Sequence, residues 1–173
     1  FPEAWEERTT WLKNLWTLDH GRITAEDLKR QEHYRSEQQR DSLKRSAGSL
    51  QDFLDKLELK IDINPADPSD YERLAQLSVR TNQFNTTTLR LNLQEVAEYA
   101  ENPLKSAHVT RVRDRFGDYG LVGGILAGVS REVLTVDGMF LSCRALGRGV
   151  EYRMAAYISA VAQKSGCHEV AFP

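Results

Sequence analysis

The sequence predicts an α/β domain built on one mixed sheet with flanking helices, preceded by a helical segment. Two observations lead there. Stretches of alternating apolar and polar residues, such as Leu57, Leu59, Ile61 and Ile63 against Glu58, Lys60 and Asp62, are interspersed with capped segments of helical period. An apolar run, Val133 to Leu141, also stops at Ser142 and Cys143, where a glycine-spaced loop opens a helix.

The 173 residues, 40% of them hydrophobic, are enough for one domain with a sizeable core and an appendage. A net charge of -2 gives no electrostatic reason to bind nucleic acid or an anionic membrane. No segment is apolar enough to span a bilayer, and no secretory signal opens the chain. Cys143 and Cys167 form no disulfide framework and no metal-ligand pattern with the histidines. The expectation is a cytoplasmic protein with reduced thiols and no metal site. His20, His33, His108 and His168 share no spacing and receive no catalytic role.

The chain is expected to divide near Ser46-Ala-Gly-Ser49, into residues 1–47 and 48–173. Trp5, Trp11 and Trp16 crowd an opening with little apolar sequence to cover them, which suggests packing on something outside the chain. A helix start follows, with Thr24 as N-cap, Asp27 reaching back and Ile23 stapled against Leu28. From Lys29 to Arg45 the only large apolar residues are Tyr34 and Leu43, and Glu32, Glu37 and Asp41 interrupt the cations; this reads as a solvated helix.

After Ser49 comes the alternating strand that ends near Ile63. Asp67-Pro68-Ser69-Asp70 opens a helix that turns Tyr71, Leu74 and Leu77 inward. A second helix starts at Asn92 with Glu95 as capping partner, burying Leu93, Val96, Ala97 and Ala100. Three strands are expected at His108–Phe116, Tyr119–Val129 and Glu132–Cys143, turning at Gly117-Asp118 and Ser130-Arg131. The helix after the glycine loop aligns Val150, Met154, Ile158 and Val161 and ends at Lys164 before Gly166. His168 to Pro173 reads as a last strand.

Arg144-x-x-Gly147-Arg148-Gly149 lets the backbone approach a ligand closely and leaves amides at a helix start, an arrangement that attracts phosphate. Cys143, just ahead of those amides, has two readings. It is a small core residue closing a strand, or a nucleophile in positive potential. The block Arg80 to Thr88, which contains Thr81, Asn82, Gln83 and Asn85, serves equally as a hydrogen-bonded turn or as neutral donors and acceptors for a hydroxylated acyl group. Arg115 and Asp118 lie in a glycine turn, with anion binding and base chemistry as the functional alternative.

Three blocks carry a resemblance: Thr81-Asn-Gln-Phe-Asn85, Asp114-Arg-Phe-Gly-Asp-Tyr-Gly-Leu-Val-Gly123 and Ser142-Cys-Arg-Ala-Leu-Gly-Arg-Gly-Val-Glu151. Together they resemble the C-terminal part of the FkbH-like family, HAD-superfamily subfamily IIIC proteins with an appended acetyltransferase-like (GNAT-like) domain. Residues 1–47 resemble the helical tail of the HAD domain, through Leu12-x-x-Leu15-Trp16 and Thr24-x-Glu26-Asp27. The resemblance implies that a glyceryl unit of 1,3-bisphosphoglycerate, an acyl phosphate, is loaded onto an acyl carrier protein in polyketide biosynthesis. The phosphopantetheine arm of the carrier is the acceptor. Cys143 would form the thioester, and Arg144, Gly147, Arg148 and Gly149 would hold the arm's phosphate. No D-x-D phosphatase motif occurs in the chain, so phosphoryl removal and any Mg²⁺ would belong to a HAD catalytic part elsewhere. The acetyltransferase-like order is expected to continue past the last strand. The alternatives are a coenzyme A-dependent N- or O-acyltransferase and a non-catalytic module that docks a carrier protein.

Overall fold

A computed structural model describes Arg8 and residues 25–172, with side chains for Arg8 and from residue 34 onward. The three tryptophans and the expected cap and staple at Ile23, Thr24, Asp27 and Leu28 lie outside the described residues or side chains. The chain separates into two compact units, Phe1–Ser42 and Leu43–Pro173. Helix α1 (Ala25–Ser46) is polar, and in the first unit Arg40 is buried and pairs with Glu37 at 2.8 Å.

The second unit begins with a helix that the alternating pattern concealed, α2 (Leu50–Leu57). Ser49 caps it by accepting from the Asp52 amide, Phe53 and Leu57 bury one face, and Glu58 ends it at a left-handed φ of 54°. Leu57 therefore belongs to a helix, and strand β1 starts only at Lys60 (Lys60–Pro65). A 3-10 turn over Pro68–Asp70 leads into α3 (Tyr71–Arg80), with a capping box between Asp67 and Asp70 and with Tyr71, Leu74 and Leu77 buried. Helix α4 (Leu93–Glu101) has its expected box: Asn92 Oδ1 accepts from the Glu95 amide at 3.0 Å, and Glu95 accepts from the Asn92 amide at 2.7 Å. It buries Val96 and Tyr99, but Leu93 in its first turn is 54% exposed, contrary to the expected burial.

The remaining elements are β2 (Lys105–Asp114), β3 (Gly117–Ser130), β4 (Val133–Leu141), α5 (Val150–Lys164) and β5 (Glu169–Ala171). The sheet order is β1-β2-β3-β4-β5, antiparallel except for the parallel pair β4 and β5. Both hairpin turns are shifted from their expected places. The first is at Arg115-Phe116, where Asp114 Oδ1 accepts from the Phe116 and Gly117 amides at 2.9 and 3.0 Å. The second is Arg131-Glu132, with φ of 48° and 65°, a left-handed pair that fits a two-residue hairpin without glycine.

Alternation along the strands makes two cores. Val122, Ile125, Leu134, Val136, Met139 and Leu141 meet Val150, Met154, Ile158 and Ala162 of α5. Val109, Leu121, Leu126 and Phe140 meet Leu74, Leu77, Val96 and Tyr99 of α3 and α4 on the other face.

One irregularity positions the site. Leu126 and Ala127 are adjacent in β3 but pair with Gly138 and Val136, so Asp137 is the extra residue of a bulge in β4. β5 pairs with β4 only at Val133, Leu134 and Thr135, before the bulge. Past it, residues 84–87 of the chain line the edge of β4. The Leu141 amide donates to Phe84 O at 3.0 Å, Thr86 N to Met139 O at 3.0 Å, Met139 N to Thr86 Oγ1 at 3.0 Å, and Thr87 Oγ1 to Asp137 O at 2.8 Å.

Candidate active site

The loop that leaves β4 turns at once: Ser142 N donates to Val122 O at 2.8 Å and Ala145 N to Ser142 O at 2.9 Å, while fully buried Ala145 anchors the turn in the core under α5. Gly147 and Gly149 have φ of 73° and 79°, and a Cβ on either would meet nothing within 4 Å. The glycines are thus demanded by backbone conformation, and the space beside them is open. No side chain caps α5 at Gly149. An uncapped helix start of this kind suits an anion.

Arg148 is committed elsewhere. It donates to the Tyr119 hydroxyl and lies 5.2 Å from that ring's centroid, and the hydroxyl in turn donates to Asp114 Oδ2 at 2.6 Å. The guanidinium therefore ties the glycine loop to the β2–β3 hairpin. Arg144 is exposed and is the loop's outward cation.

Cys143 is exposed and Cys167 buried, so the core-cysteine reading fits Cys167 and not Cys143. Cys143 lines a cleft of about 290 Å³ with Ser142, Arg73, Leu77, Arg80, Thr81, Asn82 and Gln83. The fold thus brings Thr81, Asn82 and Gln83 to the cysteine. Thr81 ends α3, its amide donating to Leu77 O at 2.9 Å, so the polar block is aimed by a helix terminus. Burial, followed by the charges of Arg144 and Arg80, holds the pKa of Arg73 below its usual value.

The other candidates are not brought to this cleft. Asn85 Nδ2 donates to the carbonyls of Ser78, Thr81 and Leu89 at 3.4, 3.5 and 3.4 Å, bracing the turn. Arg115 lies 3.8 Å from Glu58 and donates to the Lys56 carbonyl at 3.4 Å. Asp118 accepts from the Gly120 amide at 2.6 Å, as a turn aspartate does.

Two features escaped the sequence reading. Arg73 stands on the face of α3 shared by Leu77 and Arg80, and arginines seven residues apart flanking a core leucine were the available signal. Asp137, the bulge residue, accepts from the Tyr99 hydroxyl and lines a cavity of about 560 Å³ with Tyr99, Lys105 and Thr135. Burial raises its carboxyl pKa above the usual range. Among the described residues, no group of three His, Cys, Asp or Glu side chains could hold a metal, and no helix is long and apolar enough to cross a membrane.

No family model and no curated protein matches the sequence. Solved structures match the fold. The enzyme AAC(6')-Iy, in complex with a coenzyme A bisubstrate analogue, superposes with a TM-score of 0.51 at 17% identity, over 66% of this chain and 79% of that one. An acetyltransferase from Trypanosoma brucei gives 0.50 at 14% identity, over 66% and 82%. The ribosomal-protein-S18-alanine N-acetyltransferase from Escherichia coli gives 0.51 at 9% identity, over 65% and 66%. The fold is that of the GNAT acetyltransferases. The end of β4 and the glycine loop that opens α5 flank Cys143 in the chain.

Proposed function

We propose that the chain is an acyltransferase that works on a phosphopantetheine thiol, with the phosphate at the Arg144–Gly149 loop and the acyl chemistry beside it. The observation that carries this reading is the position of exposed Cys143 between the uncapped start of α5 and a cleft lined by Thr81, Asn82 and Gln83.

In the reading that the cleft favours, the Cys143 sulfur attacks the carbonyl carbon of an acyl phosphate. A carbon–sulfur bond forms, the carbon–oxygen bond to phosphate breaks, and phosphate leaves. The phosphopantetheine thiol then attacks the thioester and Cys143 departs as the leaving sulfur. Thr81, Asn82 and Gln83 offer hydrogen bonds to a hydroxylated acyl group, and the amides around Gly147 and Gly149 face the phosphate or the developing oxyanion. With the FkbH-like resemblance, the acyl group is a glyceryl unit and the acceptor an acyl carrier protein of a polyketide pathway.

A second reading, coenzyme A-dependent transfer straight to an amine or hydroxyl, is favoured by two observations. Among the fold neighbours, AAC(6')-Iy is held with coenzyme A, and Asp137 has a raised carboxyl pKa at the bulge of β4. Asp137 would then take the acceptor's proton.

One comparison separates the two. The full chain, Cys143→Ala and Asp137→Asn are each given an acyl phosphate with a carrier protein, or acyl coenzyme A with an amine, and read by intact mass. The covalent reading expects an acyl adduct that disappears in Cys143→Ala along with transfer. Transfer that survives in Cys143→Ala and fails in Asp137→Asn supports the direct route. A carrier that binds but is never acylated leaves a docking module and sinks both.

A further inference from the structure

The cleft beside Cys143 has a charge pattern that its neutral lining residues do not explain. Its α3 wall presents Arg73 and Arg80 on either side of buried Leu77, and its other wall is Ser142 and Cys143 at the end of β4. No carboxylate lines it. Arg73 donates to a neutral partner, Gln76 Oε1, at 3.2 Å. None of Arg73, Arg80 and Arg144 makes an ion pair with a carboxylate among the described residues. Arg144 and Arg80 are near enough to Arg73 for their charges to depress its pKa. Asn82 Oδ1 accepts from Arg90 at 3.4 Å, and its amide hydrogens can be offered to a ligand. The cleft is therefore lined by two arginines and neutral donors with no carboxylate among its lining residues. Guanidinium forks match the geometry of phosphate and carboxylate oxygens.

We infer that this cleft is a binding site for the anionic group of a small substrate, a phosphate ester or a carboxylate, held by Arg73 and Arg80 while the reactive carbon faces Cys143. The inference deepens the proposed function and rests on its placing the chemistry at Cys143. The cleft, about 290 Å³, has room for the anionic end of a small organic acid.

Alkylation of Cys143 by two near-isosteric reagents, anionic iodoacetate and neutral iodoacetamide, tests it without acyl transfer. Cys167 is buried, and a Cys143→Ser protein identifies the reacting thiol by mass. Removal of two charges roughly 6 Å from the reagent is expected to lower the iodoacetate-to-iodoacetamide rate ratio about tenfold in Arg73→Gln/Arg80→Gln, and about threefold in Arg80→Gln alone. Arg73→Lys/Arg80→Lys should keep most of the ratio. Inorganic phosphate should slow alkylation of the wild type more than that of the Gln pair, and acetate in its place reports whether a carboxylate competes as well. A ratio that is the same in the wild type and in exposed Arg80→Gln and the Gln pair overturns the inference, as does equal protection by phosphate in every protein. Loss of acyl transfer with the ratio contrast intact would defeat the proposed function and leave the anion site standing.

Discussion

His108 is 5% exposed on the α5 face of β2, with its ring edge-on to Tyr157 and its Nδ1 3.1 Å from the Tyr157 hydroxyl. Its Nε2 is buried with no hydrogen-bond partner among the described residues, as is Thr110 Oγ1 two residues along the same strand face. Burial holds its pKa below the ordinary value near 6.5. The consequence has a definite sign. As pH falls past about 6.5, the unfolded chain takes up a proton at this histidine and the folded chain resists, so stability is full above that pH and declines below it. The slope from one such group approaches about 1.4 kcal/mol per pH unit. Urea unfolding of the wild type should therefore weaken between pH 7 and pH 5, and His108→Gln should show a shallower decline. If the two proteins lose stability in parallel, the buried ring is not the cause.

At the scale of elements, α3 packs closely on β3 at Gly124. A Cβ on Gly124 would stand 2.3 Å from Leu74 Cδ1 and 2.8 Å from two ring carbons of Phe140, all in the core under α3. Gly124→Ala should cost about 1–3 kcal/mol by overpacking. Gly128→Ala, whose nearest contact would be 3.4 Å, should cost much less. Comparable melting temperatures for the two variants would mean that α3 has room to withdraw. The elements that were legible in the sequence are those fixed by local chemistry, such as the helix start at Asp67-Pro68-Ser69-Asp70, the box at Asn92/Glu95 and the strand, glycine loop and helix at Val133–Lys164. What was hidden depends on partners. Leu57 and Leu59 mimic a strand period although Leu57 is buried with Phe53 in helix α2, Arg131-Glu132 turns without a glycine, and the bulge at Asp137 exists only in the pairing of β4 with β3. The site divides in the same way. The glycine loop was readable, whereas the meeting of Arg73 and Thr81 with Cys143 is made by tertiary packing.

Across the whole molecule, among the described residues, the two cores run from Leu59 to Val170. The sheet, its flanking helices and the Cys143 cleft likewise lie within Leu43–Pro173. Helix α1 adds little apolar surface where its side chains are described: Tyr34 is 69% exposed. Among the described residues, the stability that comes from burying apolar area resides in the second unit. A protein beginning at Leu43 is expected to unfold in one cooperative transition, with a midpoint close to that of the full chain and with the same iodoacetate preference at Cys143. Loss of that transition, monitored by circular dichroism, would show that residues 1–42 supply part of the fold. A retained transition with a lost preference would place the electrostatics of the cleft under their influence.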